Sequence, residues 1–246
     1  MSGDERPSSA TGLIPPALTE GRIELLGLLP NASNAAFLVR CRSEGDERFA
    51  VYKPRRGETP LWDFPEGTLH RREVAAYVVA QALGWPNVPP TVLRDGPEGP
   101  GSVQLFVRFR TGEHYFTLQD ARPEDFRRIA LFDLAVNNAD RKAGHCLLGE
   151  DDRIWVIDHG VCFSEEPKLR TVIWEFLDEP IPEPDRRDLE RLALGLVPGA
   201  PLAADLERLL DPDEVAALRD RVRHLAALER FPGPEPGTRP YPWPPI

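Results

Sequence analysis

Asn137-Asn138-Ala139-Asp140-Arg141-Lys142-Ala143-Gly144-His145 and, further on, Trp155-Val156-Ile157-Asp158-His159-Gly160 are the two stretches on which this sequence turns. The first packs amide, carboxylate, guanidinium, ammonium and imidazole groups into one short segment. It lies where a helix is expected to end and a hairpin to begin. A carboxylate on such a loop, Asp140, can accept the proton of an attacking hydroxyl. Lys142, two residues on, can neutralise charge on a transferred group. The second stretch runs a buried strand straight into Asp158. A carboxylate there is costly unless a cation or hydrogen bonds satisfy it. A divalent metal would do so, and a plain tight turn completed by Gly160 is the ordinary alternative.

Working outward, the pattern predicts a helix over Pro123–Asn137. Pro, Glu and Asp suit its first turn, and Phe126, Ile129, Ala130, Phe132 and Leu134 form a broad apolar face. Asp133, on that face, is placed to brace the loop through hydrogen bonds. Cys146–Leu148, the turn GEDDR and Ile154–Ile157 predict the hairpin. Two or three helices complete this half. The last starts at Asp211, where Asp-Pro-Asp-Glu supplies an N-cap, a Pro at the first position and a capping-box Glu. Residues 22–110 read mostly as strands: Arg22–Leu28, Ala35–Arg42, Arg48–Lys53, Thr91–Arg94 and Ser102–Val107. The turn Ser43–Glu47 and the linker DGPEGPG join neighbouring pairs. One helix interrupts them, Leu69–Leu83, closed by Gly84.

The expected fold is therefore α+β and two-lobed, with a strand-rich N-lobe over 17–110 and a helical C-lobe over 111–230. The crossing lies near Phe106–Thr111. Residues 1–16 read as a disordered leader. The Pro-rich tail 231–246 reads as a docked or loose strap, or as a ligand for the groove of a protein partner.

Two N-lobe residues join the candidates. Lys53 ends a strand (Val51-Tyr52-Lys53-Pro54) and can place a point charge on phosphate oxygens. Glu73, in the N-lobe helix, can hold that ammonium by ion pairing. Taken alone, each is ordinarily a solvated side chain. Trp62 and Phe64 in Pro60–Gly67 suit a packed loop or a lid. His114 and Tyr115 suit the lobe junction. Arg71–Arg72, Arg127–Arg128 and Arg186–Arg187 read as solvated faces, and His70 and His224 show no partner in sequence.

The bulk numbers narrow the function. The chain has 246 residues, enough for one two-lobed domain with a sizeable core. A net charge of −10 argues against sequence-independent nucleic-acid binding, which needs clustered Lys and Arg. Three cysteines, Cys41, Cys146 and Cys162, fit neither a disulfide framework nor a zinc site, and point to a reducing cytoplasm. No apolar run is long enough for a membrane span, and the polar start is not a signal peptide.

Strand-Lys, helix-Glu, loop-Asp and hairpin-Asp-x-Gly occur in one order, and the set is more specific than any member. Here the chain resembles the protein-kinase-like superfamily, nearest the branch of phosphatidylinositol 3-/4-kinases and HipA-type bacterial kinases. NNADRKAGHCLL is similar to that branch's N-x-D-R-x-x-x-N loop, and VIDHG resembles its I-D-x-G metal motif. The resemblance covers roughly residues 22–195. It implies ATP and a divalent metal, Mg or Mn, as cofactors. Lys53 would touch the α- and β-phosphates with Glu73 as its partner, Asp140 would be the catalytic carboxylate, and Asp158 would hold the metal. The loop Pro30–Ala36, with Ser33 and Asn34 at its centre, would cover the phosphates. Gln104–Thr111, including Phe106 and Val107, would form the hinge beside adenine. The covering loop has no glycine, and His145 stands where the pattern has a metal-binding Asn; imidazole suits softer ions than Mg²⁺. Two functions follow: a kinase-like phosphotransferase acting on a protein, inositol-like or small-molecule hydroxyl, or a pseudokinase that senses nucleotide or binds a protein.

Overall fold

The structure, a computed structural model, describes residues 14–30 and 34–246. Most of the expected leader and Ser33 of the phosphate-covering loop lie outside the described residues. Five antiparallel strands form one sheet: β1 (Arg22–Leu28), β2 (Phe37–Ser43), β3 (Asp46–Pro54), β4 (Thr91–Gly96) and β5 (Gly99–Leu105). Their spatial order is β1-β2-β3-β5-β4. A short helix α1 (Pro16–Thr19) precedes them and buries Ala17 and Leu18 against the sheet. Both hairpins are tighter than the sequence suggested. Ser43 pairs with Asp46 and Gly96 pairs with Gly99, so each turn spans two residues. The strands run into DGPEGPG because Gly99 takes a positive φ of 94°. Gly101 also lets β5 approach β3, where a Cβ would sit 2.5 Å from the Lys53 carbonyl oxygen.

Helix α2 spans Leu69–Leu83 as expected, with Gly84 left-handed at its end. Its packing was not expected. Ala75, Ala76, Tyr77, Val79, Ala80 and Leu83 join the main core, shared with the C-lobe, while the sheet keeps a separate small core around Val39, Cys41, Ala50, Tyr52 and Val103. Arg72 corrects the solvated-face expectation. It is 1% exposed and donates to Cys162 O at 2.6 Å and to Glu214 at 2.5 Å. The helix is wrapped on several sides, so a polar residue between two apolar faces is buried too, and it needs partners.

The C-lobe holds α3 (Tyr115–Leu118), α4 (Pro123–Val136), the hairpin β6 (Cys146–Leu148) and β7 (Ile154–Val156), then α5 (Glu183–Gly195), α6 (Pro201–Glu207) and α7 (Pro212–Ala227). Asn137 ends α4 in the left-handed region, which frees the chain to turn into the Asp140 loop. At α7 the Asp213 N–H donates to Asp211 and the Asp211 N–H to Glu214, the expected capping box. Tyr115 is a core residue whose hydroxyl donates to Glu175. The tail is docked: Thr171 N–H and Trp174 Nε1 donate to Pro240 O, and Ala143 N–H donates to Pro245 O at 2.8 Å. No helix among the described residues is long and apolar enough to cross a membrane.

Candidate functional site

β3, α2 and the turn after β7 deliver three side chains to one point. Lys53 Nζ donates to Glu73 Oε1 and, at 2.9 Å, to Asp158 Oδ1. Glu73 is buried, and its second oxygen accepts from the His159 N–H at 3.0 Å. One carboxylate thus ties the β3 lysine to the backbone beside Asp158. Asp158 itself has a positive φ of 63°. That conformation is uncommon for a side-chain-bearing residue and is most tolerated by Asp and Asn. It leaves the carboxylate about half exposed, at 47%. The Lys53 ammonium holds Asp158 well below the usual carboxylate range. Burial works against the Lys53 charge, but Asp158 and Glu73 outweigh it and raise its pKa.

These groups line a cleft of about 650 Å³ that also contains Asn34, Trp62, Asp140, Lys142, His145 and Arg170. Asp140 is partly exposed, with Lys142 Nζ 3.3 Å from its Oδ2. Burial raises its pKa, Lys142 offsets part of the rise, and Asp158 adds to it. Asn34 is in the cleft, where its Oδ1 accepts from the Thr59 N–H at 2.7 Å. Phe106 and Val107 follow β5 but do not line this cleft: the Phe106 N–H bonds back to Phe49 O, continuing the sheet's pairing. Trp62 is 93% exposed at the cleft edge, while Phe64 is buried beneath Arg72.

Asp133 holds the loop in shape together with two residues that carried no individual role in the sequence, Arg141 and Asn138. Arg141 and Asp133 are both fully buried and ion-paired at 3.0 Å. Arg141 also donates to Ile157 O at 2.9 Å and lies 2.7 Å from His159 Nε2. Asn138 donates to Asp133 and accepts the Asp140 N–H. Asp133 was legible as a brace, but its partner Arg141 was not. The adjacent Asp-Arg in NNADRK was its only signal. His70, without an evident partner in sequence, has Glu58 at 2.6 Å.

His145 turns into the cleft, with Nε2 3.3 Å from Asp158 Oδ2. Its Nδ1 accepts from the Lys142 N–H, so the remaining proton belongs on Nε2, facing Asp158. Burial pulls its pKa down to about 4 despite Asp158, with Arg141, Lys53 and Lys142 adding to the fall. The ring is a neutral donor, and this pattern does not suit a metal ligand. The described residues hold no cluster of three or more His, Cys, Asp or Glu side chains arranged for a metal. What they offer is the hard carboxylate oxygen of Asp158 with Asp140 nearby, a set that fits a hard cation sharing its shell with phosphate.

No family model matches the chain. Among solved structures, the crystal structure of a Helicobacter pylori proinflammatory kinase, CtkA, superposes with a TM-score of 0.50 at 12% identity, over 85% of this chain and 93% of that one. With the antiparallel sheet lobe and helical lobe, this likeness shows the two-lobed kinase-like fold. Phosphatidylinositol 4-kinase gamma 4 of Oryza sativa subsp. japonica is 31% identical over 54% of this chain, and that of Arabidopsis thaliana 29% identical over 44%. The chain spans only 30% and 24% of those two proteins. Protein Rv2133c of Mycobacterium tuberculosis is 38% identical over 92% of this chain and 93% of its own length. This chain therefore belongs to the family of Protein Rv2133c.

Proposed function

We propose that the chain is an ATP- and metal-dependent phosphotransferase, akin to the phosphatidylinositol 3-/4-kinase-like branch, that phosphorylates a hydroxyl. The observation that carries this reading is the contact of Lys53 with both Glu73 and Asp158, in the cleft that holds Asp140 and Lys142. Lys53 is kept charged and aimed by Glu73, as a phosphate contact requires. Asp140 accepts the proton of the acceptor hydroxyl; its raised pKa suits a base better than an ordinary carboxylate does. Lys142 meets charge on the transferred group. Asp158 would hold a divalent metal, which when bound neutralises phosphate charge. His145 orients Asp158 by donating to it.

The test is calorimetric ATP binding with Mg²⁺ or Mn²⁺, alongside ATP turnover. Lys53→Met loses ATP affinity. Asp140→Asn keeps it while turnover drops by about 100- to 10,000-fold. Turnover equal to wild type in Asp140→Asn refutes the assignment. A second reading, a nucleotide-binding pseudokinase, is favoured by the occupation of both Asp158 oxygens, by Lys53 and His145. ATP binding without turnover selects it.

A further inference from the structure

The Asp140 loop lies under two further layers of chain. Residues 170–172 run alongside it. The Arg170 N–H donates to Asn138 O and the Arg141 N–H to Arg170 O, both at 2.9 Å, and the Val172 N–H donates to Arg141 O at 3.2 Å. The tail lies against that segment. The Thr171 N–H donates to Pro240 O at 2.9 Å, and Trp174 Nε1 donates to the same oxygen at 3.2 Å. Thr171 Oγ1 also lies 3.5 Å from the Asp133 carboxylate that braces the loop. Further along, the tail reaches the loop itself, where the Ala143 N–H donates to Pro245 O at 2.8 Å.

The bond at Ala143 bears on the chemistry. Ala143 opens the 3₁₀ turn Ala143–His145, and the first N–H of such a turn finds no acceptor within it. Ala143 is fully buried, so its N–H needs an acceptor, and Pro245 supplies one. The turn sits between two residues of the cleft. Lys142 precedes it, 3.3 Å from Asp140, and His145 closes it, 3.3 Å from Asp158. His145 O accepts from the Ile157 N–H at 3.0 Å, which ties the turn to the residue before Asp158. Ile246, next to Pro245, lines the cleft.

The composition of the tail suits a strap that docks and lifts. Pro240, Pro242, Pro244 and Pro245 have no N–H, so this stretch offers the body acceptors. Their rings fix φ, so little chain freedom is lost on docking. The hold is light. Residues 233–239 are exposed, as are Tyr241 and Trp243, and within residues 241–246 only Pro242 is buried. Hydrogen bonds to Pro240 and Pro245 and one buried ring, rather than a packed core, keep the strap down.

We infer that residues 240–246 are a strap that positions the Asp140 loop for catalysis, with Pro240 and Pro245 as positioning residues that act through Thr171 and Ala143. The inference rests on the phosphotransferase reading of the cleft. Docked, the strap holds Lys142 and His145 against Asp140 and Asp158. Lifted, it frees the 3₁₀ turn, and turnover falls. The nucleotide contact at Lys53 stands on β3 and α2 and is left as it was.

The experiment compares the full chain with a variant truncated after Pro240, which loses Pro245 and Ile246 but keeps the oxygen that Thr171 and Trp174 use. Calorimetry reads ATP affinity with Mg²⁺, ADP release reads turnover, and NMR reads amide exchange. The variant binds ATP with wild-type stoichiometry and with an affinity within a few-fold, which shows that it is folded. Its turnover falls by about 10- to 100-fold, the cost of misplacing a positioned group by about 1 Å. The amides of Lys142, His145 and Ile157, none of which bonds to the strap, exchange faster. Trp174→Phe removes one bond to Pro240, keeps an aromatic ring and repeats the test in a chain of full length, with turnover a few-fold lower. Turnover that truncation leaves unchanged or raises overturns the inference, a rise marking the tail as an inhibitor of the cleft. Unchanged exchange at those amides overturns it too. A wild type that binds no ATP, or binds it without turnover, breaks the phosphotransferase reading instead, and amide exchange alone then decides whether the strap positions the loop.

Discussion

Replacing Asp133 with Asn removes a charge but almost no volume, which isolates the electrostatic part of the loop's support. Asp133 is fully buried. It accepts from Arg141 Nε and Nη2 at 3.0 Å, from Asn138 Nδ2 at 2.9 Å and, more loosely, from Thr171 Oγ1 at 3.5 Å. The substitution leaves the Arg141 guanidinium buried beside a neutral amide, whose NH₂ faces donors. Breaking a buried pair by removing one partner costs about 3–5 kcal/mol. In a chain of this size each kcal/mol moves Tm by a few degrees, so the melting point should fall by roughly 6–20 °C. The double variant Asp133→Leu/Arg141→Met removes both charges and substitutes apolar groups. It should be markedly more stable than the sum of its single variants. Urea unfolding followed by circular dichroism supplies the three free-energy differences. A loss under about 1 kcal/mol for Asp133→Asn, or strict additivity in the double variant, would refute the claim that this pair holds the loop.

Other outcomes follow from the same geometry. His145 titrates at about 4 in the folded chain, against about 6.5 when unfolded. On acidification the unfolded state takes up the proton first, so stability is full above pH ~6.5 and falls as pH drops toward 4. His145→Asn should flatten unfolding free energy across that window by up to about 3 kcal/mol, and identical slopes for the two proteins would contradict it. Because Nε2 carries its proton toward Asp158, Mg²⁺ should support ATP binding as well as Mn²⁺ does; a clear Mn²⁺ advantage that disappears in His145→Asn would show the ring to be a ligand. Asp158→Asn should make ATP affinity insensitive to the metal, and calorimetry showing tight, metal-dependent binding in that variant would remove Asp158 from the metal site.

How much of this was legible varied with how local the cause was. The ends of α2, α4 and α7 follow from Gly84, Pro123 and Asp211, whose effects act within a turn of the chain. The strands were legible except where glycine hides pairing, as in DGPEGPG, because a residue that favours turns also permits a tight hairpin between longer strands. Lys53, Glu73 and Asp158 could be ordered along the sequence, but their contact spans 105 residues between Lys53 and Asp158. Arg72 was misjudged for the same reason. Its partners Cys162 and Glu214 lie 90 and 142 residues away, and nothing near it in sequence distinguishes it from exposed Arg71.

The placement of α2 bears on how the chain comes apart. Its apolar face belongs to the larger core, Arg72 bonds into the C-lobe, and Glu73 holds both the sheet lysine and the turn after β7. A cut at the lobe boundary would strip that helix of its packing and leave Arg72 without its acid, while the sheet would keep only its small core. The two lobes should therefore melt in a single cooperative transition, and a fragment ending near residue 110 should expose apolar surface and aggregate rather than fold alone.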